Sequence, residues 1–257
     1  MPNVDRHAPG SFCWIELGTT DQDAAKNFYN SLFGWTAADS PMGPDAMYTT
    51  FSLNSRRVGG GYNVKMMPGV PPHWMIYVAT TSADETAAKV KNAGGKTMCD
   101  PMDVGESGRF VVFQDPTGAH VSAWQPKKHQ GYEVEGENGS LCWADLMTPD
   151  PQKAADFYKK IFGWSLDPGQ DGSGYLHIKN GEHFIGGIPP KGALPPGVPP
   201  HWALYIQVEN CDASTAKAKS LGAQIFMPPT TMEKVGRWSV IADLQGAAFA
   251  LFQPERR

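Results

Sequence analysis

The chain is 257 residues long, 41% hydrophobic and 19% charged, with a formal net charge of −4. That is enough for one large domain or two ordinary ones, each able to bury roughly two-thirds of its unfolded surface. The acidic balance, without any Lys/Arg stripe, excludes nucleic acid and anionic membrane as partners, and no apolar run reaches the roughly 18 residues of a membrane span.

Residues 1–10 are polar and contain prolines, without the basic start and apolar run of a secretion signal. The cytoplasm is therefore the expected location. The first element is a strand over 12–18, where apolar and β-prone residues alternate. Thr20 or Asp21 then offers a capping oxygen. Ala24, Ala25, Phe28, Tyr29 and Leu32 recur at helical spacing, so a helix runs to Gly34. Residues 48–53 and 57–63 read as a strand pair around an Asn54-Ser55 turn. A Pro-rich connection leads to a strand over 74–79 and a helix over 83–93, closed by Gly94-Gly95. A hairpin over 109–113 and 120–124 turns on Asp115-Pro116-Thr117-Gly118. The order is βαβββ, then βαβββ again.

The whole pattern then repeats. Cys13-Trp14 returns as Cys142-Trp143, Phe28-Tyr29 as Phe157-Tyr158, and Phe33-Gly34-Trp35 as Phe162-Gly163-Trp164, each about 129 positions on. The run from Pro68 through His73-Trp74 recurs through His201-Trp202, and Gly108-Arg109 recurs as Gly236-Arg237, about 128 positions on. This spacing means duplication of a domain: residues 1–126, a polar linker over 127–138, and residues 139–257. Cys13, Cys99, Cys142 and Cys211 show no CxxC spacing and read as reduced, packed thiols.

The strand leading to Thr-x-Asp, the helix ending Phe-Tyr-x-x-x-Phe-Gly-Trp, and the hairpin Gly-Arg-Phe through Asp-Pro-Thr-Gly-Ala resemble the vicinal oxygen chelate superfamily. This group contains glyoxalases, bleomycin-resistance proteins and extradiol dioxygenases. The resemblance covers nearly the whole chain. It implies an α+β fold of two tandem copies of paired βαβββ modules, each an open curved mixed sheet with helices outside. It also implies a metal site from four inward-facing strand positions. In the first copy these fall on Trp14, Gly59-Gly60, His73 and Ser122; in the second, on Trp143, Gly186-Gly187, His201 and Ala250. Only the histidines among them could ligate.

Glu16 and Asp145 lie two residues beyond Trp14 and Trp143, on the same strand face. A carboxylate there needs a partner, and Arg109 and Arg237 are the expected ones. The alternative for Glu16 is a general base, with His73 as its catalytic companion. His73 and His201, each after Pro-Pro, are either strand-end histidines bonded to a loop or cup-facing ligands. Trp14, Tyr77, Arg109, Ser122 and Trp124, with Trp143, Asp145, His201, Tyr205, Arg237 and Phe252, form the expected ligand walls. The expected function is binding of a small, largely apolar or aromatic molecule in a cup, without a cofactor, by a monomer or homodimer. The competing reading is a lyase or dioxygenase-type enzyme with Zn, Ni, Mn or Fe on Glu16 and His73.

Overall fold

The computed structural model describes residues 4–169 and 172–255. The first copy runs β1 (Phe12–Thr19), α1 (Gln22–Phe33), β2 (Thr36–Gly43), β3 (Ala46–Leu53), β4 (Arg56–Asn63), β5 (His73–Ala79), α2 (Ala83–Asn92), β6 (Lys96–Thr97), β7 (Met102–Val104), β8 (Gly108–Gln114) and β9 (His120–Pro126). The second runs β10 (Leu141–Met147), α3 (Pro151–Phe162), β11 (Ser165–Asp167), β12 (Leu176–Asn180), β13 (His183–Ile188), β14 (His201–Gln207), α4 (Cys211–Ser220), β15 (Gln224–Met232), β16 (Gly236–Ala242) and β17 (Ala248–Pro254).

Local chemistry sets the ends of these elements. The Asp21 side chain accepts from the Ala24 N–H at the start of α1, and Gly34, at φ 75°, closes it in the left-handed conformation. Asn54 and Ser55 both take positive φ (50° and 64°), the twist that a two-residue hairpin requires. Asp115 Oδ1 accepts from the N–H groups of Thr117, Gly118 and Ala119, locking the β8–β9 turn.

Each copy forms its own curved mixed sheet. The strand order is β2-β3-β4-β1-β5-β9-β8-β6, with β7 also on β8, and then β11-β12-β13-β10-β14-β17-β16-β15. The two modules of a copy meet where β1 runs antiparallel to β5, and β10 to β14. Each cup is thus built within one copy. The edge strand β2 and the short β6 and β7 escaped the periodicity reading, because β2 is exposed at every position and carries Pro41.

The copies share a core. Tyr29 Oη donates to Asp243 Oδ2 at 2.9 Å, and Tyr158 Oη to Asp115 Oδ2 at 3.0 Å. Trp35 Nε1 donates to Gly139 O and Trp164 Nε1 to Gly10 O, both at 2.7 Å. Phe12 packs edge-on against Trp164 and Trp202 of the other copy. Burial of such a ring stabilises by about 1.5–3 kcal/mol, so each copy draws part of its stability from the other.

The polar segment 127–138 is no free tether. Tyr132 and Val134 are buried within it, and the Tyr132 N–H donates to Cys13 O at 2.8 Å.

Candidate functional site

Alternation along β1 sends Cys13, Ile15 and Leu17, all fully buried, into the helix-side core. Trp14, Glu16 and Gly18 therefore face the concave side. Register places Trp14 opposite Tyr77, Glu16 opposite Gly60 and Met75, and Tyr77 opposite Ser122.

On that face Glu16 is held between two phenols. Tyr48 Oη donates to Glu16 Oε1 at 2.8 Å and Tyr77 Oη to Oε2 at 2.5 Å, while Trp14 Nε1 donates to Tyr48 Oη at 2.9 Å. Gly60 makes this possible, since a Cβ there would sit 2.0 Å from Tyr48 Oη. The second cup repeats the arrangement. Tyr175 Oη donates to Asp145 Oδ1 at 2.5 Å, Tyr205 Oη to Oδ2 at 2.9 Å, and Trp143 Nε1 reaches Tyr175 Oη at 2.8 Å and Asp145 Oδ1 at 3.0 Å. A Cβ at Gly187 would lie 1.8 Å from Tyr175 Oη. Sequence reasoning missed Tyr48 and Tyr175. The signal was available: both aromatics recur in the repeat and both face glycines.

Burial raises the Glu16 carboxyl above the usual carboxylate range, and the hydrogen bonds from Tyr77 and Tyr48 draw it partly back. Asp145 is raised by the same cause against Tyr175, Tyr205 and Trp143. The phenols of Tyr48 and Tyr77 are pushed well up by burial and by the neighbouring Glu16. Among the described residues neither carboxylate has a Lys or Arg partner. Glu16, half-buried, and Asp145, buried, are each satisfied by neutral donors, and desolvation disfavours the charged form of both.

The expected ion pairs are not formed. Arg109 shares its strand face with Val111 and Phe113, the helix side, and binds Asp84 at 2.8 Å and Asp103 at 2.6 Å. Arg237 likewise binds Asp212 at 2.7 Å and Thr231 at 2.7 Å. His73 Nδ1 lies 2.9 Å from Pro71 O and His201 Nδ1 2.8 Å from Pro199 O, the strand-end arrangement. Ser122 is buried and donates to Val111 O at 3.3 Å. Trp124 and Phe252 occupy matching cup-face positions, opposite Phe110 and Trp238. Trp238, His177 and His129 were not expected on the cup faces.

A divalent ion needs three or four protein ligands, or two to three plus water. Both Glu16 oxygens are held by tyrosines, Trp14 and Gly60 offer no ligand atom, and His73 is anchored to its loop. Among the described residues no group of three or more His, Cys, Asp or Glu side chains could hold a metal. The residues present do not fit the metal of the expected site. Two open cavities, of about 310 and 330 Å³, lie outside the cups, one beside Arg57 and Glu133 and one beside Asp21 and Lys26. Neither has an aromatic wall.

The model of one family, described as Glyoxalase/Bleomycin resistance protein/Dioxygenase superfamily, matches residues 11–122 and 140–251. The chain is 38% identical over 264 residues to a putative glyoxylase, CFP32, of Mycobacterium tuberculosis, covering 99% of this chain and 98% of that protein. It is 34% identical to the anthracycline biosynthesis protein DnrV of Streptomyces peucetius, covering 97% and 95%. Among solved structures it superposes on the Mn(II)-bound glyoxalase of Novosphingobium aromaticivorans with a TM-score of 0.65 at 17% identity, covering 95% of this chain and 82% of that one. The 2,3-dioxygenase LapB of Pseudomonas sp. KL28 gives 0.65 at 13% identity, covering 100% and 94%.

Proposed function

The chain belongs to the Glyoxalase/Bleomycin resistance protein/Dioxygenase superfamily, and from that premise we propose that it binds a small, largely apolar or aromatic molecule in a cup, at a carboxylate–tyrosine centre that takes the place of a metal. One observation carries this reading. In both copies a carboxylate, half-buried at Glu16 and buried at Asp145, is gripped by two phenols beside an indole N–H, at the centre of an aromatic concave face. Aromatic walls supply contact area and stacking, and a few polar atoms at the floor orient the ligand. Both Glu16 oxygens and Asp145 Oδ2, each with one donor already, can still accept from a ligand O–H or N–H, because a carboxylate oxygen has room for two donors, whereas Asp145 Oδ1 already has two.

The raised carboxyls favour a second reading, metal-free acid–base catalysis on the bound molecule. A carboxyl shifted upward by burial works better as a base or acid near neutral pH than an exposed one. The names of the relatives, a putative glyoxylase and an anthracycline biosynthesis protein, support chemistry on a small organic molecule.

Among the described residues no helix is long and apolar enough to cross a membrane. We place the protein in the cytoplasm, as a monomer or homodimer; its free cysteines support that location.

The test is a thermal-shift and calorimetric screen of small aromatic phenols and carbonyl compounds on wild type and on the double variant Glu16→Gln, Asp145→Asn. Saturable binding by wild type, weakened at least tenfold in the variant, is expected. Binding unchanged in the variant would remove the carboxylates from the site.

A further inference from the structure

The two cups are not equivalent. In the first copy the chain leaving β9 turns back across the concave face. The Lys127 and His129 N–H groups donate to Ser107 O and the Lys128 N–H to Glu106 O, each at 3.0 Å, which pins the segment to the turn before β8. His129 is thereby laid against both indoles, its ring 4.4 Å from Trp14 and 5.6 Å from Trp124 between centroids. Trp124 Nε1 donates to His129 O at 2.9 Å. Arg57 Nη1 lies 3.0 Å from His129 Nδ1, and Glu133 holds the same guanidinium at 2.6 Å.

The aromatic walls differ in exposure accordingly, although the carboxylates do not follow them, Glu16 being half-buried and Asp145 6% exposed. Trp14, Tyr77 and Trp124 are 4%, 7% and 6% exposed. Their counterparts Trp143, Tyr205 and Phe252 are all half-buried, as is Trp238 beside Phe252. The second cup also carries His177 on its face, edge-on to Trp143 and Tyr175. Among the described residues, none covers Trp143 and Phe252 as His129 covers Trp14 and Trp124.

We propose that the ligand enters the second cup alone, because residues 127–130 of the same chain cover the indole wall that it would need in the first. This rests on the binding function proposed above. The second cup fits a planar, fused-ring aromatic bearing a hydroxyl. Its rings lie against Trp143, Trp238 and Phe252, and its hydroxyl donates to Asp145 Oδ2, which accepts from Tyr205 and has a second lone pair to offer.

The experiment is calorimetric titration of the full chain with 2-naphthol. Wild type is expected to take one equivalent. Trp238→Ala weakens that binding at least tenfold, whereas Trp238→Phe, which keeps a ring, retains it. The combined substitution Lys127→Gly, Lys128→Ser, His129→Gly, Gln130→Ser, which leaves Tyr132 docked, raises the stoichiometry to two. Two equivalents in wild type, full binding by a folded Trp238→Ala, or one equivalent in the combined variant would each overturn the inference while leaving the binding function standing. Absence of saturable binding in wild type and combined variant alike would overturn both.

Discussion

Tyr29 of the first copy donates its hydroxyl hydrogen to Asp243 of the second, 2.9 Å away, and the duplicated pair Tyr158 and Asp115 makes the same bond in the opposite direction. The copies are thus cross-tied through the acid that organises each other's hairpin turn. Tyr29→Phe keeps the ring packing and removes the hydroxyl. It is expected to cost about 1.5–3 kcal/mol, the range for a hydrogen bond to a charged group. Urea denaturation should show one lowered midpoint for the whole chain, because the shared core couples the copies. Two separated transitions would show that it does not.

Gly60 and Gly187 leave room for the phenols that hold the carboxylates. Gly60→Ala and Gly187→Ala should each displace a tyrosine hydroxyl and cost about 1–3 kcal/mol, as overpacking does. Thermal unfolding measures the loss. An unchanged melting temperature would mean that Tyr48 or Tyr175 is not seated at the glycine.

Glu16 and Asp145 carry raised carboxyls, burial being the main cause. Between the ordinary carboxylate pKa and the raised one, the folded state holds more protons than the unfolded state. Stability therefore falls as pH rises through that window and levels off above it. Glu16→Gln combined with Asp145→Asn should flatten this part of the stability–pH profile. Denaturation at a series of pH values checks the sign, and a slope unchanged in the variant would contradict it.

His129 behaves in the opposite sense. Burial, with the Arg57 guanidinium next, holds its pKa down to about 4 from 6.5, against a smaller upward pull from Glu133 and a small downward one from His7. A shift of that size is worth about 3 kcal/mol. The docked segment is fully stable above pH 6.5 and loses that stability as pH falls toward 4, where the folded state must take up a proton it resists. Hydrogen exchange, corrected for intrinsic rates, should show residues 127–133 losing protection on acidification. His129→Gln should lose little.

The sequence made the duplicated βαβββ order and the caps legible because apolar alternation and turn residues are local signals. The faces of β1 and β10 were legible for the same reason, which is why Trp14, Glu16, Trp143 and Asp145 lie on the concave sides. Tyr77 and Tyr205 were legible as wall residues, but Tyr48 and Tyr175 were not, since they reach Glu16 and Asp145 across 32 and 30 residues through a strand register that no local pattern specifies. The misplacement of Arg109 was avoidable: it shares parity with Val111 and Phe113, and two buried apolar residues mark that face as the helix side. His129 was hidden by composition. A polar stretch read as a linker gave no sign that it would return across the sheet and lie between two indoles.

The replacement of a metal site by the carboxylate–tyrosine grip is tested most directly by metal retention. Purified, untagged protein is equilibrated with Zn²⁺, Ni²⁺, Mn²⁺ or Fe²⁺, desalted and analysed for bound metal beside the Glu16→Gln, Asp145→Asn double variant. The grip predicts no stoichiometric metal in either protein. Near one equivalent per cup in wild type, lost in the double variant, would contradict it and return Glu16 and Asp145 to the role of metal ligands.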